Sequence, residues 1–212
     1  MDPTSIAAVV ISSKRWEARG GNPDDISTIA LWAVPAGVIG ARMYHVATDW
    51  KTYEGNWVDA VKITQGGLGI PGGILAGVLA GLVVVRVKKL PLVPLMDTLG
   101  PTILVAQAIG RFGNYFNQEL FGPPTTLPWG LQIDPSAPAI PPGTPAGTLF
   151  HPLFLYELLW NLAGAAVIVL LEHHRRRHGR ITLGAGRSLG MYLLWYGAGR
   201  AALESIRLDP TE

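Results

Sequence analysis

Five apolar runs divide this sequence and limit its fold more than any other feature does. They cover residues 26–46, 66–85, 95–110, 152–171 and 189–202. A helix of about 20 residues crosses the roughly 30 Å hydrocarbon core of a bilayer, so we interpret each run as one span. The chain is 49% hydrophobic and 15% charged, whereas soluble domains are about 25% charged. The sequence therefore predicts an all-α integral membrane protein, a polytopic helical bundle of about five spans.

No linker-like segment divides the chain, so we expect residues 1–212 to form a single membrane-embedded domain. Residues 122–150 are rich in Pro, Gly, Thr and Ala and are expected to form an external loop or arm. The chain has no cysteine, which excludes disulfides, thiolate metal sites and a cysteine nucleophile. Any thiol chemistry must use a thiol from a partner. The basic residues lie in short clusters between the apolar runs, so we expect no nucleic-acid partner.

The second apolar run, GGLGIPGGILAGVLAGLVVV, is rich in small residues. Its second half repeats them at close spacing, at Gly77, Ala80 and Gly81, which favours tight helix packing in lipid. The first half, through Gly73, contains too much Gly and Pro for a good helix. This half therefore predicts a broken or re-entrant segment that lines a cavity.

Most loop cations lie in alternate loops, which predicts the orientation of the chain in the membrane. They are Lys14, Arg15, Arg19, Arg86, Lys88, Lys89, Arg175, Arg176, Arg177, Arg180 and Arg187, whereas the intervening loops hold little beyond Lys51 and Lys62. By the positive-inside rule, their loops and the N-terminus lie in the cytoplasm. We assign the neighbouring His173, His174 and His178 to this basic cluster and not to a metal site. The far ends of the first, third and fifth runs then bring charged residues near the outer face. These are Arg42, Arg111, Arg200, Glu204 and Arg207.

A charged and amide-rich stretch, GRFGNYFNQELFG at residues 110–122, begins at the end of the third run. It contains Arg111, Asn114, Asn117, Gln118 and Glu119. A surface loop can have this composition, but ionisable groups at membrane depth are costly and mark candidate functional sites. The position of the stretch therefore favours a site. Asn114 and Asn117 can donate to phosphate or glycerol oxygens, or cap the adjoining helix.

The spacing of Arg200, Glu204 and Arg207 places all three on one face of a helix. A structural ion pair that joins two helices is one explanation. Three arginines at this depth nevertheless exceed what the nearby glutamates need, and guanidinium groups match phosphate oxygens in a bidentate geometry. A phospholipid head group is the nearest available anion. Asp97 and Glu157, inside their runs, are expected to fix arginines or backbone groups and not to take part in chemistry.

Four blocks of sequence point to a known family. They are GARMYH at 40–45, GRFGNYFNQELFG at 110–122, HPLFLYE at 151–157 and YGAGRAALESIRLDP at 196–210. In composition, order and spacing they resemble prolipoprotein diacylglyceryl transferases, which are integral enzymes of the bacterial cytoplasmic membrane. The GGLGIPGGILAG form at residues 66–77 is similar to the actinobacterial branch of that family.

The resemblance implies a reaction on the outer face of the membrane. The thiol of the lipobox cysteine in a prolipoprotein signal peptide attacks the diacylglyceryl carbon of phosphatidylglycerol, which forms a thioether and releases glycerol 1-phosphate. This is the first step of bacterial lipoprotein maturation. The acceptor thiol belongs to the substrate, which agrees with an enzyme that has no cysteine. The resemblance calls for no metal and no cofactor.

The resemblance also implies roles for individual residues. Arg111 and Arg200 would hold the phosphate and stabilise the charge that develops on the leaving group. Glu119 and Glu204 complete the candidate catalytic set, and with Asn114 they would orient the arginines or the glycerol. The remaining candidate substrate contacts are Asn117, His151, Tyr196 and Arg207.

The chain departs from the family pattern at the base and at both ends. Many members have a histidine, a proposed base, before the Gly-Gly pair of the second run, whereas this chain has Pro71 there. Glu119, Glu204 and His151 are the candidate bases, and a thiol of pKa about 8.5 needs only modest help to ionise. The family usually has one further span at each end. We expect both to be missing, as in an internal fragment, a truncated gene model or a short natural variant, and an inactive fragment is one alternative.

Two other classes of protein compete with this interpretation. A small lipid-binding membrane protein or transporter would use the buried charges to line a path, but the chain has no inverted repeat and its charges cluster near one face. A lipid-linked glycosyl or phosphatidyl transferase would need a divalent metal held by clustered carboxylates. Only Asp24 and Asp25 have a suitable spacing, and they lie on the cytoplasmic side of the predicted topology.

Overall fold

The structure is a computed structural model that describes residues 3–55, 57–62, 67–135, 137, 140, 143–178 and 185–207. It separates into two compact units, one of Ser12–Leu95 and one of Met1–Ile11 with Met96–Glu212. Each unit is described by itself below. That residues 1–212 act as a single domain stays a prediction.

Helices dominate the described part of the chain. The α-helices are α1 (Pro3–Glu17), α2 (Pro23–Thr48), α3 (Ile70–Val87), α4 (Leu92–Asn117), α5 (Leu153–Arg177) and α6 (Arg187–Glu204). Two short 3-10 helices, Trp50–Tyr53 and Trp57–Val61, follow α2. The strands are β1 (Pro124–Thr125), β2 (Leu131–Gln132) and β3 (Leu149–Phe150).

Four of the described helices, α2, α3, α4 and α5, are long and apolar enough to cross a membrane. The prediction of a polytopic helical membrane protein is confirmed. The fifth predicted span is helical as α6, but Arg187, Arg200 and Glu204 fall among its 18 residues. These three charges distinguish α6 from the four candidate spans, each of which has an 18-residue apolar window with at most two charged residues.

In the unit of residues 12–95, small residues let α2 and α3 pack closely. A Cβ built on Gly73 would lie 3.2 Å from the Ala41 Cβ and 3.3 Å from the Gly37 carbonyl oxygen. The expectation of a broken segment through Gly73 is wrong for residues 70–73, which belong to α3, whereas residues 67–69 precede the helix. Pro71 fits the first turn of a helix, where its missing N–H has no intrahelical acceptor. Glycine lowers helix propensity, but here it allows the two backbones to approach.

Arg42, at the end of α2, is 7% exposed and holds the loop that follows its own helix. Its guanidinium donates to the backbone carbonyls of Asp59 at 2.6 Å, Ala60 at 2.8 Å and Gly67 at 2.9 Å. The same group lies 5.3 Å from the centre of the Tyr53 ring, within the range of a cation–π contact. Arg42 therefore has a structural role inside this unit.

In the other unit, the predicted external arm forms a small antiparallel sheet with the strand order β1-β3-β2. Phe150 pairs with Pro124 on one side and with Leu131 on the other. Below the sheet, Phe121, Ile133 and Phe150 form one buried cluster. These contacts give the Pro-rich arm an ordered base next to the first turn of α5.

Polar contacts position α6 at its start and near its middle. The Asp97 carboxylate accepts from the backbone N–H groups of Gly186 at 2.8 Å and Leu189 at 3.0 Å, and so satisfies free donors at the start of α6. This confirms that Asp97 fixes backbone groups. Further along, Trp160 and Trp195 each donate an indole N–H to the carbonyl oxygen of the other, both at 2.9 Å.

Candidate active site

A buried carboxylate lies at the centre of the candidate site. Glu157, in the first turns of α5, is 2% exposed. Its Oε1 accepts a hydrogen bond from Nη2 of Arg111 on α4, and its Oε2 lies 4.0 Å from Nη1 of Arg200 on α6. One carboxylate thus hydrogen-bonds one guanidinium group and lies at ion-pair distance from a second, which comes from a different helix.

The predicted contacts among Arg200, Glu204 and Arg207 are present, but the expectation that all three share one helical face is wrong, because α6 ends at Glu204 and Arg207 lies beyond it. Nη2 of Arg200 lies 2.5 Å from Oε2 of Glu204, one turn away. Nη1 of Arg207 lies 4.0 Å from the other oxygen of the same carboxylate. Arg200 therefore faces two glutamates, Glu157 inside the helix bundle and Glu204 on its own helix, and remains 34% exposed.

The stretch of residues 110–122 ends α4 and turns the chain into the arm. Nη1 of Arg111 donates to Oδ1 of Asn114 at 3.3 Å, and Nδ2 of Asn114 donates to Oε2 of Glu119 at 3.1 Å. Gln118 and Leu120 have φ values of 55° and 58°, a left-handed conformation that is unusual outside glycine. This tight turn brings Glu119 back toward Asn114, so that the motif closes on itself.

Gln118 and Asn117 complete the turn. Oε1 of Gln118 accepts from the backbone N–H of Asp134 at 2.7 Å, which ties the turn to the arm. Asn117 is the last residue of α4 and is exposed. A ligand that approaches the site from solvent or from the membrane surface can therefore reach the Asn117 carboxamide.

His151 and Tyr196 make different contacts. Nδ1 of His151 lies 2.9 Å from Oη of Tyr156, and the same hydroxyl accepts from the indole N–H of Trp129 at 3.1 Å. Tyr196 stacks on Tyr192 with ring centres 6.0 Å apart. The structure therefore joins Arg111, Asn114, Glu119, Arg200, Glu204 and Arg207 through a chain of contacts, whereas His151 and Tyr196 belong to neighbouring contacts.

The arginines of this network have unused N–H donors that can bind an anionic ligand. The guanidinium groups of Arg111, Arg200 and Arg207 face the carboxylates of Glu157 and Glu204. Glu119 is joined to them through the neutral amide of Asn114. A guanidinium has five N–H donors, and Arg111 and Arg200 are 23% and 34% exposed. Both therefore keep donors for the oxygens of a phosphate.

Sequence reasoning placed Glu157 among the groups that fix arginines, but it did not show that two arginines share this carboxylate. It also missed two carboxamides inside the apolar runs, Gln107 on α4 and Asn161 on α5. Both lie one helical turn from the central ion pair, since Gln107 is four residues before Arg111 and Asn161 is four residues after Glu157. That shared spacing is a signal that the sequence alone contains.

Comparison with known proteins identifies the family. The family model described as prolipoprotein diacylglyceryl transferase matches residues 4–212, nearly the whole chain. The chain belongs to the prolipoprotein diacylglyceryl transferase family. The blocks that carried the sequence resemblance all lie within the matched residues.

Curated relatives of this prolipoprotein diacylglyceryl transferase family member are named phosphatidylglycerol–prolipoprotein diacylglyceryl transferase. The chain is 46% identical to the protein of Bifidobacterium adolescentis over 96% of its own length and 63% of that relative. It is 45% identical to the protein of Leifsonia xyli over 98% of its length and 63% of the relative. It is 46% identical to a Corynebacterium glutamicum protein over 96% of its own length and 66% of that relative. The chain thus spans less than two thirds of the length of these relatives.

Proposed function

We propose that the chain transfers the diacylglyceryl group of phosphatidylglycerol to the lipobox cysteine of a prolipoprotein signal peptide. The reaction is placed at the outer face of the bacterial cytoplasmic membrane, following the positive-inside orientation of the cationic loops. Family membership and the names of the relatives support the reaction class. The observation that carries the proposal is the approach of Arg111 and Arg200, from two helices, to the one buried carboxylate of Glu157.

The two arginines match the phosphate of the lipid. In this proposal Glu157 orients each guanidinium through one edge, and the remaining N–H donors bind phosphate oxygens. As the sulfur of the substrate forms its bond to the diacylglyceryl carbon, the bond from that carbon to the phosphate oxygen breaks. The electron pair leaves with glycerol 1-phosphate, whose added charge is stabilised by the same guanidinium groups. The proton of the thiol passes to a base.

Glu119 is the base that the contacts favour among the three candidates. Its recorded donor is the neutral amide of Asn114, whereas Glu204 is ion-paired with Arg200. Nδ1 of His151 is engaged with the Tyr156 hydroxyl. Glu119 is also exposed at the turn after α4, where a substrate thiol can approach it.

The experiment that tests the function measures transfer of lipid to a synthetic lipobox peptide in membranes that lack any other such transferase. The donor is phosphatidylglycerol labelled in the glyceryl group that carries the acyl chains. A peptide with serine in place of the cysteine is the control. We expect a labelled thioether product with the cysteine peptide alone. Lipid bound to the protein without transfer to either peptide would contradict the proposal and favour a lipid-binding protein.

A further inference from the structure

Helix geometry places the partly buried Gln107 and the fully buried Asn161 in one polar layer directly below the arginine site. Arg111 of α4 contacts Glu157 of α5, and Leu104 of α4 packs with Ala165 and Ile168 of α5. Moving back along α4 therefore corresponds to moving forward along α5, so the two helices are antiparallel. Because a helical turn contains about 3.6 residues, Gln107 and Asn161 face the same level, one turn below the Arg111–Glu157 pair.

The carboxamides in this layer have unused hydrogen-bonding groups. Asn161 is 0% exposed, and neither its Nδ2 nor its Oδ1 has a hydrogen-bond partner within the described ranges of the chain. The buried Oε1 of Gln107 also has no hydrogen-bond partner among these residues. Its Nε2 makes one long contact of 3.5 Å with the hydroxyl of Tyr192 on α6. A buried amide with no partner is destabilising and calls for a ligand or a functional reason.

The depth of the layer matches one part of a phospholipid. The phosphate between Arg111 and Arg200 defines the upper level. In a glycerophospholipid the ester carbonyls follow the phosphate at about the length of one helical turn, about 5 Å. They are uncharged acceptors, which suit carboxamide N–H donors and not arginine. The ester groups of the lipid carry no charge, and neither carboxamide of the layer is charged.

We propose that Asn161 and Gln107 bind the ester carbonyl oxygens of the phospholipid whose phosphate lies between Arg111 and Arg200. This proposal rests on the proposed function, because it places the lipid by its phosphate. Entry of the glyceryl backbone separates two side chains that share no recorded hydrogen bond among the described residues. The carbonyl oxygens accept from Nδ2 of Asn161, the donor that has no partner among the described residues, and from the second amide hydrogen of Gln107 Nε2, whose other hydrogen faces Tyr192. The layer selects ester-linked lipids over lipids with the same head group and no carbonyl.

Equilibrium binding to the purified full chain tests this selection without requiring turnover. The two probes are diacyl phosphatidylglycerol and its dialkyl ether analogue, which keeps the phosphate, the glycerol and the chain length. We expect the wild-type protein to bind the ester lipid about tenfold more tightly, which is the effect of roughly one hydrogen bond. Asn161→Leu should bind the two lipids with a smaller ratio, because the leucine side chain has similar size and no donor, so that only Gln107 remains to bind a carbonyl oxygen.

Matched controls separate this role from a structural one. Thr102 is also a buried polar residue of α4, 2% exposed, and lies below the layer. Thr102→Val removes its hydroxyl and should keep the wild-type ratio of the two lipid affinities. Gln107→Leu is the second variant and should lower the ratio as Asn161→Leu does. Glycerol 1-phosphate, which has no acyl chain, should compete equally well in wild type and in Asn161→Leu. The melting temperature of Asn161→Leu should equal or exceed that of wild type, because the replacement removes unpaired polar atoms.

The outcomes are distinct for the two proposals. A wild-type protein that binds both lipids equally, or an Asn161→Leu protein that keeps the wild-type ratio, overturns the ester-binding role and leaves the phosphate site intact. A lower melting temperature of Asn161→Leu with an unchanged ratio would assign Asn161 to a bond between helices instead. If the wild-type protein binds neither lipid nor glycerol 1-phosphate, the proposed function fails and the ester-binding role fails with it.

Discussion

Oε2 of Glu157 lies 4.0 Å from Nη1 of Arg200, although the two residues belong to different helices and are far apart in the sequence. Because Oε1 of the same side chain accepts from Arg111, this 2% exposed carboxylate couples α4 and α6. The phosphate-binding geometry that we propose depends on it. If Glu157 moves or loses its charge, both arginines lose the carboxylate that positions their guanidinium groups.

We therefore expect Glu157→Gln to damage lipid binding more than its size change suggests. The amide keeps the volume but cannot form an ion pair with two guanidinium groups. Breaking a buried pair costs about 3–5 kcal/mol, and the partial exposure of Arg111 and Arg200 lowers this to about 1–3 kcal/mol. The measurements are the melting temperature in detergent and the KM for phosphatidylglycerol. An unchanged melting temperature together with an unchanged KM would show that Glu157 does not organise the arginines.

Arg111→Lys is expected to lose most activity although the charge is kept. Lysine has no planar fork, so it cannot contact the Glu157 carboxylate and a phosphate oxygen with the same geometry. Loss of one charge-assisted hydrogen bond, about 1.5–3 kcal/mol, corresponds to a fall in transfer rate of about tenfold to a hundredfold. Arg176→Gln, in the basic end of α5, is the control and should leave turnover nearly intact. Near-normal turnover by Arg111→Lys would count against the phosphate role.

Glu119→Gln should give a defect that shrinks as the pH rises. At about pH 7 a thiol of ordinary pKa, about 8.5, is only a few per cent thiolate and benefits from a base, whereas above about pH 9 it is mostly ionised. The ratio of wild-type to variant transfer rates should therefore fall toward one between these values. Glu204→Gln, which disturbs Arg200 instead, should show a defect that pH does not relieve. A pH-independent defect in Glu119→Gln would remove Glu119 from the role of base.

Gly199→Ala is expected to displace Arg200, its neighbour in the sequence. A Cβ on Gly199 would overlap the indole ring of Trp160, which is bonded in turn to Trp195. Overpacking of this kind costs about 1–3 kcal/mol. Gly197→Ala is the matched control on the same helix, since a Cβ there meets nothing within 4 Å, and it should be neutral or slightly stabilising. Equal melting temperatures and equal activities for the two variants would mean that the tryptophan pair does not position Arg200.

The spans were predictable because hydrocarbon thickness sets the length of an apolar helix, so residues 26–46 and 152–171 could be assigned from composition. The Arg200–Glu204 ion pair was predictable for a similar reason, since residues four apart on a helix are neighbours. The contact of Arg111 with Glu157 is different. It depends on how α4 and α5 pack, which local spacing does not determine.

Glycine and arginine gave the weakest predictions. The run through Gly73 looked too rich in Gly and Pro for a helix, but close packing of α3 on α2 outweighs the low propensity of glycine. That Arg42 lies near the outer face stays a prediction, but the sequence did not indicate that its guanidinium binds three backbone carbonyls of its own unit. No sequence pattern predicts that the loop after α2 folds back over Arg42.

The proposal that Arg200 binds the lipid phosphate during transfer is tested by one comparison of rates. Lipid transfer from phosphatidylglycerol to a lipobox peptide is measured for wild type and for Arg200→Ala. Both proteins are compared at equal amounts inserted in membranes that lack another such transferase. The account predicts transfer by the wild-type chain that requires the cysteine of the peptide and falls by at least about a hundredfold in Arg200→Ala, about 2.7 kcal/mol of lost transition-state stabilisation. Transfer by Arg200→Ala within about threefold of wild type would contradict it.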